Sequence, residues 1–498
     1  MVLIQLSWEK KNKNNKKEER REMEEKNTTV KTERKATLGS ALFVMAMAIA
    51  ILLTGVLVLK LDPHIPLLTA IIPISIYGIY LHISWADLMD SAYKSIMECM
   101  EAAILVLTIG MVVGSWIASG TVPFIIYWGV KLFSPASVLP LTLIFCTLMS
   151  TLTGSSWTTI GTLGVAFVGI GTALGINPAM IVGAICCGAF FGNAQSPMAD
   201  VPVFSEAVAN VEMYKGSKAC LVSNIPALAV TFVIFVVLGL QYRGVNASAS
   251  TGSVNIFLNG LQSGFNLTPA VLIPVICMVV LMIVKFPAIP LRFVAAFTGV
   301  ACAVIFQHET LADTLGYMMN GYVGKTGVKE IDVTLTRGGL MGMTGTVIIM
   351  MFSMWMAGII RRTGIVQVIL DKVANFVKRP GILVATATIS TFVFNFVAAD
   401  PFLAITLPAK AFGDTFDELG YDRSILCRCI SPAAYFAPMV PWGSGGIFVA
   451  ATLGVSVIQY VPFYFTAIIA PILTIIFAFI GFAMPKADNQ AKIVSETN

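Results

Sequence analysis

The sequence predicts an all-α, polytopic membrane protein with about 10 to 12 transmembrane segments in two inverted repeats that contain broken or re-entrant helices. Composition is the first observation: of 498 residues, 57% are hydrophobic and 12% are charged, with a mean hydropathy of +0.83. Soluble globular chains carry about 25% charged residues. The second observation is a series of apolar segments long enough to cross a bilayer, and the third is a matched pair of interruptions in each half of the chain.

The N-terminal segment differs sharply in charge from the rest of the chain. Residues 1–38 hold 11 of the 32 Lys and Arg residues and 7 of the 27 Asp and Glu residues. So polar a segment is predicted to form a disordered, basic tail, and its basic residues favour a cytoplasmic N-terminus in the plasma membrane. No basic stripe with interleaved aromatic residues follows, so nucleic-acid binding is excluded.

Twelve apolar segments after this tail are predicted to be membrane segments. They cover residues 40–59, 65–83, 101–118, 136–153, 178–192, 219–240, 268–284, 290–306, 339–360, 382–395, 424–440 and 460–483. The polar segment 307–337 is predicted to be a connector between two halves.

Two of the twelve segments are predicted not to cross. If all crossed, the pairs Lys285/Arg292 and Arg361/Arg362 would lie outside the cell, against the usual bias of basic residues. The segments 178–192 and 424–440 are therefore predicted to be re-entrant or broken pieces, which returns the four basic residues to the cytoplasmic side.

Two distant stretches of similar pattern indicate an internal repeat. Gly120–Pro135 and Gly364–Pro380 each follow a span, and 19 residues later each half reaches Gly154 or Ala399. The predicted domains are a tail (1–38), N-terminal spans (39–97), a first transporter repeat (98–240), linker spans and a connector (241–337), a second, inverted repeat (338–484) and a cytoplasmic tail (485–498).

Each half is interrupted twice by small and polar residues, at 153–159 and 192–200 in the first half and at 395–401 and 438–446 in the second. Unwound backbone survives at membrane depth only inside protein or beside a water-filled cavity. Its free carbonyls suit a cation such as Na⁺, and helix N-termini suit an anionic group. The interruptions are therefore the predicted binding sites.

The first interruption carries four hydroxyl groups within five residues, on Ser155, Ser156, Thr158 and Thr159. Hydroxyl oxygens can ligate Na⁺ or donate to a carboxylate, so this cluster does not choose between the two cargoes. The alternative is that these small side chains only allow close packing of helices.

The second interruption adds Asn193, Ser196 and Asp200. An ionisable side chain deep in an apolar region is expensive and is a functional-site hypothesis by default, so Asp200 is predicted to exchange Na⁺ for a proton. The alternative is a helix cap at the cytoplasmic side. Glu206 is predicted to lie on the solvated surface.

In the second half, Asn395, Asp400 and Ser444 are the corresponding candidates, with a turn before Pro401 as the alternative for Asp400. The predicted Na⁺ ligands are Asp200, Asp400 and Ser156. No phosphate-binding glycine motif, metal-ligand spacing or Ser/His/Asp grouping is found in the sequence. Neither a cofactor nor an enzymatic activity is therefore predicted, and Na⁺ and H⁺ are the expected coupling ions.

Several stretches resemble the NhaC-type Na⁺/H⁺ antiporter family of the ion transporter superfamily. They are GSWIASGTVPFIIYWG, TGSSWTTIGTLGVAFVGIG, GAFFGNAQSPMAD, ADPFLAITLP and PWGSGG, and the likeness covers roughly residues 65 to 483. The resemblance implies a secondary transporter that exchanges Na⁺ for H⁺ or couples that exchange to small carboxylates such as malate and lactate. It also implies a scaffold with a mobile transport region.

The chain departs from the family pattern at the second interruption. Where the family typically has FGDKMSPLSDTT, this chain has Asn193 for the first acid and Ala194 for the basic residue, whereas Ser196 and Asp200 match. An uncharged site would suit an organic solute better than a bare proton.

The predicted function is Na⁺/H⁺ antiport. The alternatives are a Na⁺- or H⁺-coupled exchanger of small carboxylates or amino acids, a channel and a membrane enzyme. The predicted partners are Na⁺, H⁺, the lipid bilayer and, in the alternative, an organic acid or amino acid, and a homodimer stays open.

Overall fold

The computed structural model describes residues 33–196, 199–212, 214–242, 250–284, 286–374, 379–398 and 401–487, and within these ranges the chain is helical without a β-strand. The predicted tails lie outside the described residues, except for 33–38 and 485–487. The α-helices are Leu38–Leu53 (α1), His64–Tyr80 (α2), Trp85–Glu98 (α3), Met100–Ala118 (α4), Thr121–Leu132 (α5), Val138–Thr153 (α6), Ser156–Thr159 (α7), Val165–Ala173 (α8), Pro178–Gln195 (α9), Asp200–Val208 (α10), Lys215–Leu240 (α11), Ser250–Gly264 (α12), Ile273–Ile283 (α13), Ala288–Phe306 (α14), Leu311–Asn320 (α15), Lys329–Leu335 (α16), Leu340–Thr363 (α17), Ile365–Ala374 (α18), Pro380–Ala398 (α19), Pro401–Glu418 (α20), Ser424–Ile430 (α21), Ala433–Phe436 (α22), Ser444–Leu453 (α23), Val457–Tyr460 (α24) and Phe465–Phe479 (α25). Short π-helical turns, Thr54–Val58 and Ile160–Gly164, extend α1 and join α7 to α8, and 3₁₀ turns lie at Pro269–Leu272, Ala437–Met439 and Val461–Phe463.

Seven of the described helices are long and apolar enough to cross a membrane, or ten spans if each sharply bent helix pair counts as one. The bent pairs are Val254–Gly264 with Pro269–Ile283, Ser424–Met439 with Ser444–Leu453, and Val457–Phe463 with Phe465–Phe479, at 88°, 44° and 52°. An all-α, multi-pass membrane fold with broken helices is thus confirmed.

The structure corrects three details of the predicted spans. Residues 178–192 belong to one unbroken, deeply buried helix of 18 residues, α9, so the interruption follows this helix. Helices at 121–132 and 156–173 were missed, because Gly and Thr residues dilute their apolar pattern. The segment 424–440, in contrast, is the first arm of a bent pair, as predicted.

Close packing of α6 against α9 forms the centre of the first half. Gly188 and Gly192 lie one turn apart on α9 and face the backbone of α6. A Cβ at Gly188 would lie 2.5 Å from the carbonyl oxygen of Leu143, and one at Gly192 would lie 2.5 Å from that of Thr147. Small residues four apart allow this approach, as they commonly do between membrane helices.

Buried apolar side chains form two large clusters that cross the boundaries of the halves. One contains the first half with α14 and α23, and the other joins α1 and α2 to most of the second half. Between α11 and α21, the Lys215 ammonium donates to an Asp422 carboxylate oxygen at 2.6 Å. Although burial raises the pKa of Asp422, hydrogen bonds from Lys215 and Ser424 outweigh it and hold this pKa below its usual value.

Glu206 is buried, which corrects its predicted place on the solvated surface. Its Oε1 accepts hydrogen bonds from the backbone N–H of Ser217 at 2.7 Å and from the Ser217 hydroxyl at 2.8 Å. Both donors lie in the first turn of α11, where backbone N–H groups lack partners within the helix. Glu206 therefore caps this helix from α10.

Replacing Glu206 with Leu is expected to destabilise the protein by about 2 kcal/mol, because the capped N–H loses a charged acceptor while it stays buried. Glu206→Gln keeps one oxygen acceptor and should lose less. Thermal unfolding of the detergent-purified variants checks this order. Equal unfolding temperatures for Glu206→Leu, Glu206→Gln and the unchanged chain would rule out the capping role of Glu206.

Candidate functional site at four helix breaks

Three interruptions of helical backbone among the described residues bound the candidate site. Break 1 is Gly154–Ser155, between α6 and α7, and break 2 lies between α9 and α10, where Ser196 and Ala199 are described. Break 4 is Val440–Gly443, before α23. These three fall in the stretches that the sequence predicts. The predicted interruption at 399–400, called break 3, lies with the candidate Asp400 outside the described residues, between α19 and α20.

Break 1 is a two-residue interruption whose neighbouring hydroxyl groups largely bond to one another. Gly154 adopts a left-handed conformation (φ 66°), which a residue without a Cβ accepts at no steric cost, and Ser155 is extended. The Ser155 Oγ accepts from the Thr158 N–H at 3.2 Å and from the Thr158 hydroxyl at 2.9 Å. The Thr159 hydroxyl donates to the Ser155 carbonyl at 3.1 Å, and Ser156 is buried beside them.

Arg292 of α14 reaches this hydroxyl cluster, a contact that the sequence analysis missed. Its Nη2 donates to the Thr158 Oγ1 at 2.8 Å, and the residue is only 3% exposed. The positive-inside argument used Arg292 as a cytoplasmic flanking charge, but it did not predict that this side chain is buried against Thr158. The signal was in the sequence, because Arg292 stands within an apolar span, where an ionisable residue is a functional hypothesis.

A guanidinium in this place changes the electrostatics of break 1. Two like unit charges about 4 Å apart repel by about 4 kcal/mol at an effective dielectric constant near 20. A Na⁺ ion at Thr158 would meet that repulsion from Arg292, whereas an anionic group would be attracted. The sequence did not decide whether this hydroxyl cluster binds Na⁺ or a carboxylate. The positive charge of Arg292 favours the carboxylate.

Break 2 is tied to break 1 by one hydrogen bond. Asn193, in the last turn of α9, donates from Nδ2 to the carbonyl oxygen of Gly154 at 2.9 Å. Ser196 is fully buried at the start of the break. The polar residues of the two interruptions of the first half are therefore neighbours, although nearly 40 residues separate them in sequence.

Asp200 begins α10 and is exposed, whereas the sequence analysis expected it deep in apolar surroundings. Its Oδ1 accepts a hydrogen bond from the N–H of Val201 at 2.9 Å. Asp200 thus offers a carboxylate in the first turn of α10, directly after break 2.

In the second half, Asn395 and Trp442 hold the chain around breaks 3 and 4. The fully buried Asn395 donates from Nδ2 to the Ala433 carbonyl at 2.8 Å, while its Oδ1 has no partner among the described residues. The Trp442 indole N–H donates to the carbonyl of Phe396 at 3.0 Å. Ser444 is buried at the start of α23, directly after break 4.

One hydrogen bond of the first half has a counterpart in the second. The Ser150 hydroxyl donates to the Ala189 carbonyl at 2.5 Å, and Asn395 donates to the Ala433 carbonyl. Donors and acceptors are displaced along the chain by 245 and 244 residues, the displacement that relates Gly154 to Ala399. This match supports, as a proposal, the division into two repeats.

Buried polar atoms without partners among the described residues collect where α9 meets the second half. They are the side-chain nitrogen and oxygen of Gln195 and the hydroxyl groups of Tyr435, Tyr464 and Thr466. Gln195 is the last residue of α9, and its side chain lies next to that of Tyr435 in α22. Leaving such an atom unpaired costs about 1–3 kcal/mol, so this group of oxygens suits a cation or water. Gln195 lies in the second interruption that the sequence predicts. Tyr435 lies in an apolar stretch, and no sequence feature there identified Tyr435 as a candidate.

The contacts bring three of the four breaks into one region. Besides the bond from Asn193 to Gly154, the Trp157 ring beside break 1 lies 4.4 Å, centroid to centroid, from that of Phe448 in α23. The Tyr460 hydroxyl donates to the Pro438 carbonyl before break 4 at 2.5 Å. The carboxylate of Asp200 makes no described contact with the other candidates.

Comparison with known proteins gives a consistent result over nearly the whole chain. The model of the "Na+/H+ antiporter family" matches residues 1–214 and 188–482. The Na⁺/H⁺ antiporter NhaC of Alkalihalophilus pseudofirmus is 33% identical over 92% of this chain and 99% of its own length. The malate-2H⁺/Na⁺-lactate antiporter of Bacillus subtilis is 32% identical over 91% of this chain and 96% of its own length. The arginine/ornithine antiporter ArcD of Halobacterium salinarum is 32% identical over 92% of this chain and 95% of its own length.

Proposed function

The chain belongs to the Na⁺/H⁺ antiporter family, and we propose that it is a secondary active transporter that exchanges Na⁺ for H⁺ across the plasma membrane. The observation that carries this proposal is the meeting of broken helices from both halves in one region. Broken helices of paired repeats are where secondary transporters bind their cargo.

Asp200 and Asp400 are the proposed sites at which Na⁺ and a proton compete. A carboxylate binds either cation but not both at full strength, so competition couples the two fluxes. Asn193, Ser196, Asn395 and Ser444 would supply neutral oxygens, and the unpartnered Oδ1 of Asn395 supports such a role. Gln195 and Tyr435 extend the polar lining between the halves.

The two repeats would give access to the site from either side of the membrane. We assign residues 98–240 and 338–484 to repeats of opposite orientation, with the N-terminus in the cytoplasm. Rocking of one repeat against the other then exposes the breaks alternately. This mechanism distinguishes the protein from a channel, in which a polar path stays open.

The proposal is tested by reconstituting the purified chain in liposomes that contain a pH-sensitive dye. A Na⁺ gradient directed outward should acidify the lumen against the proton gradient, with a rate that saturates with Na⁺. A K⁺ gradient of equal size is the control. Proton movement that needs no Na⁺, or Na⁺ flux that cannot drive protons uphill, would contradict antiport.

A further inference from the structure

We propose that Arg292, with the hydroxyl groups of Thr158 and Ser155 at break 1, binds the carboxylate group of a small organic anion. The inference rests on the proposed function, because it adds an anionic cargo to a transporter. The three residues form a connected chain of hydrogen bonds: Arg292 Nη2 to Thr158 Oγ1 at 2.8 Å, and Thr158 Oγ1 to Ser155 Oγ at 2.9 Å.

The guanidinium of Arg292 is buried and mostly unpaired. Among the described residues, its Nε and Nη1 have no hydrogen-bond partner, and no carboxylate lies within 4 Å of it. A buried charge is expensive unless it is paired. A bound anion would pair this charge and so offset the free-energy cost of burying it. The unpaired guanidinium therefore favours a negatively charged ligand.

Two other arginines, the buried Arg428 and the half-buried Arg337, show what a structural role looks like in this chain. Arg428 donates from Nη1 to the Ala483 carbonyl at 3.1 Å, and Arg337 donates to the carbonyl of Leu453, the last residue of α23. Both thus bind backbone carbonyls, as cations near helix ends commonly do. Arg292 differs, because its one described partner is a side-chain hydroxyl, which can rotate towards a ligand.

The shape of the donor group favours a carboxylate over a spherical anion. A guanidinium carries five N–H groups in a planar fork, and a carboxylate fits two of them at once. Thr158 uses one N–H group, so at least one two-donor edge of the fork stays available. The Ser155 hydroxyl, which accepts both of its bonds from Thr158, keeps its own hydrogen for a third bond to the ligand.

The place of the cluster suits a transported solute. Break 1 touches break 2 through Asn193 and touches α23 of the second half through Trp157 and Phe448. A ligand bound at Arg292 would therefore lie beside the contact between the two halves. We expect its affinity to change when the halves move relative to each other, which would couple its binding to the exchange cycle.

The test measures binding of lactate, malate and the uncharged lactamide to the purified full-length chain, by calorimetry and by the shift in unfolding temperature. Lactate or malate should bind and stabilise the protein, and lactamide should not. Arg292→Lys keeps the charge but loses the fork, and should weaken carboxylate binding at least about tenfold. Arg292→Met should abolish it while the unfolding temperature without ligand stays equal or rises, because an unpaired buried charge is removed.

Arg428→Met is the matched control. It should lower the unfolding temperature, because the Ala483 carbonyl loses its partner, and leave carboxylate affinity unchanged. Equal effects of lactamide and lactate, or carboxylate binding that survives Arg292→Met, would overturn the inference. Na⁺-driven proton exchange without any organic solute tests the proposed function separately, so exchange without carboxylate binding would refute only the anion site.

Discussion

Replacing Asp200 with Asn is expected to abolish Na⁺-dependent proton movement in liposomes, with a loss of at least about 100-fold in the rate at low Na⁺. The amide keeps the size of the side chain and an oxygen that can accept the N–H of Val201. It cannot carry a negative charge, so it binds neither Na⁺ nor a titrating proton strongly. A loss of about 3 kcal/mol in cation binding corresponds to about two orders of magnitude.

Asp90→Asn provides the control for this experiment. Asp90 is an exposed acid whose described ion pair is with Lys94, one turn further along α3. The variant should keep full exchange, since such surface pairs contribute at most about 1 kcal/mol. Normal exchange by the Asp200 variant, with normal insertion in the membrane, would remove Asp200 from the coupling site.

Replacing Gly192 with Ala is expected to destabilise the protein by about 1–3 kcal/mol, the usual range for an overpacked interior. The new Cβ would lie 2.5 Å from the Thr147 carbonyl oxygen and 2.8 Å from the Thr151 nitrogen. Both are backbone atoms, so α6 and α9 must separate. Unfolding of the purified variant should shift down by several degrees.

Gly342→Ala is the matched change for comparison. Gly342 also lies inside a helix, but a Cβ there would meet no atom within 4 Å. Ala is the better helix former, so the variant should be as stable as the unchanged chain or more stable by up to about 1 kcal/mol. Equal stability of the two variants would show that α6 and α9 do not pack through Gly192.

The sequence predicts the described interruptions well, because each combines Gly or Pro with several small polar residues within a few positions. Gly154 ends α6 where expected, and Gly443 precedes α23 as predicted. The contacts that the sequence did not predict join side chains far apart in the chain. Positive-inside counting treats Arg292 as a flanking charge and cannot show that its guanidinium contacts Thr158.

The roles assigned to individual polar residues were harder to predict for a similar reason. The pattern showed Ser155, Thr158 and Asn193 near breaks, but only the fold shows that they bind one another or the Gly154 carbonyl. The helices at 121–132 and 156–173 were missed because Gly and Thr residues dilute their apolar pattern. Asp400, a candidate from the sequence, lies outside the described residues and stays a prediction.

The two kinds of contact around break 1 differ in how they respond to displacement. The bond from Asn193 to the Gly154 carbonyl is directional and weakens steeply as its angle changes, so it fastens two interruptions of one half into a single rigid unit. The tilted rings of Trp157 and Phe448 are held largely by dispersion, which tolerates lateral sliding. We therefore expect the contact between Trp157 and Phe448 to allow α23 to slide relative to break 1 without a large loss of contact energy.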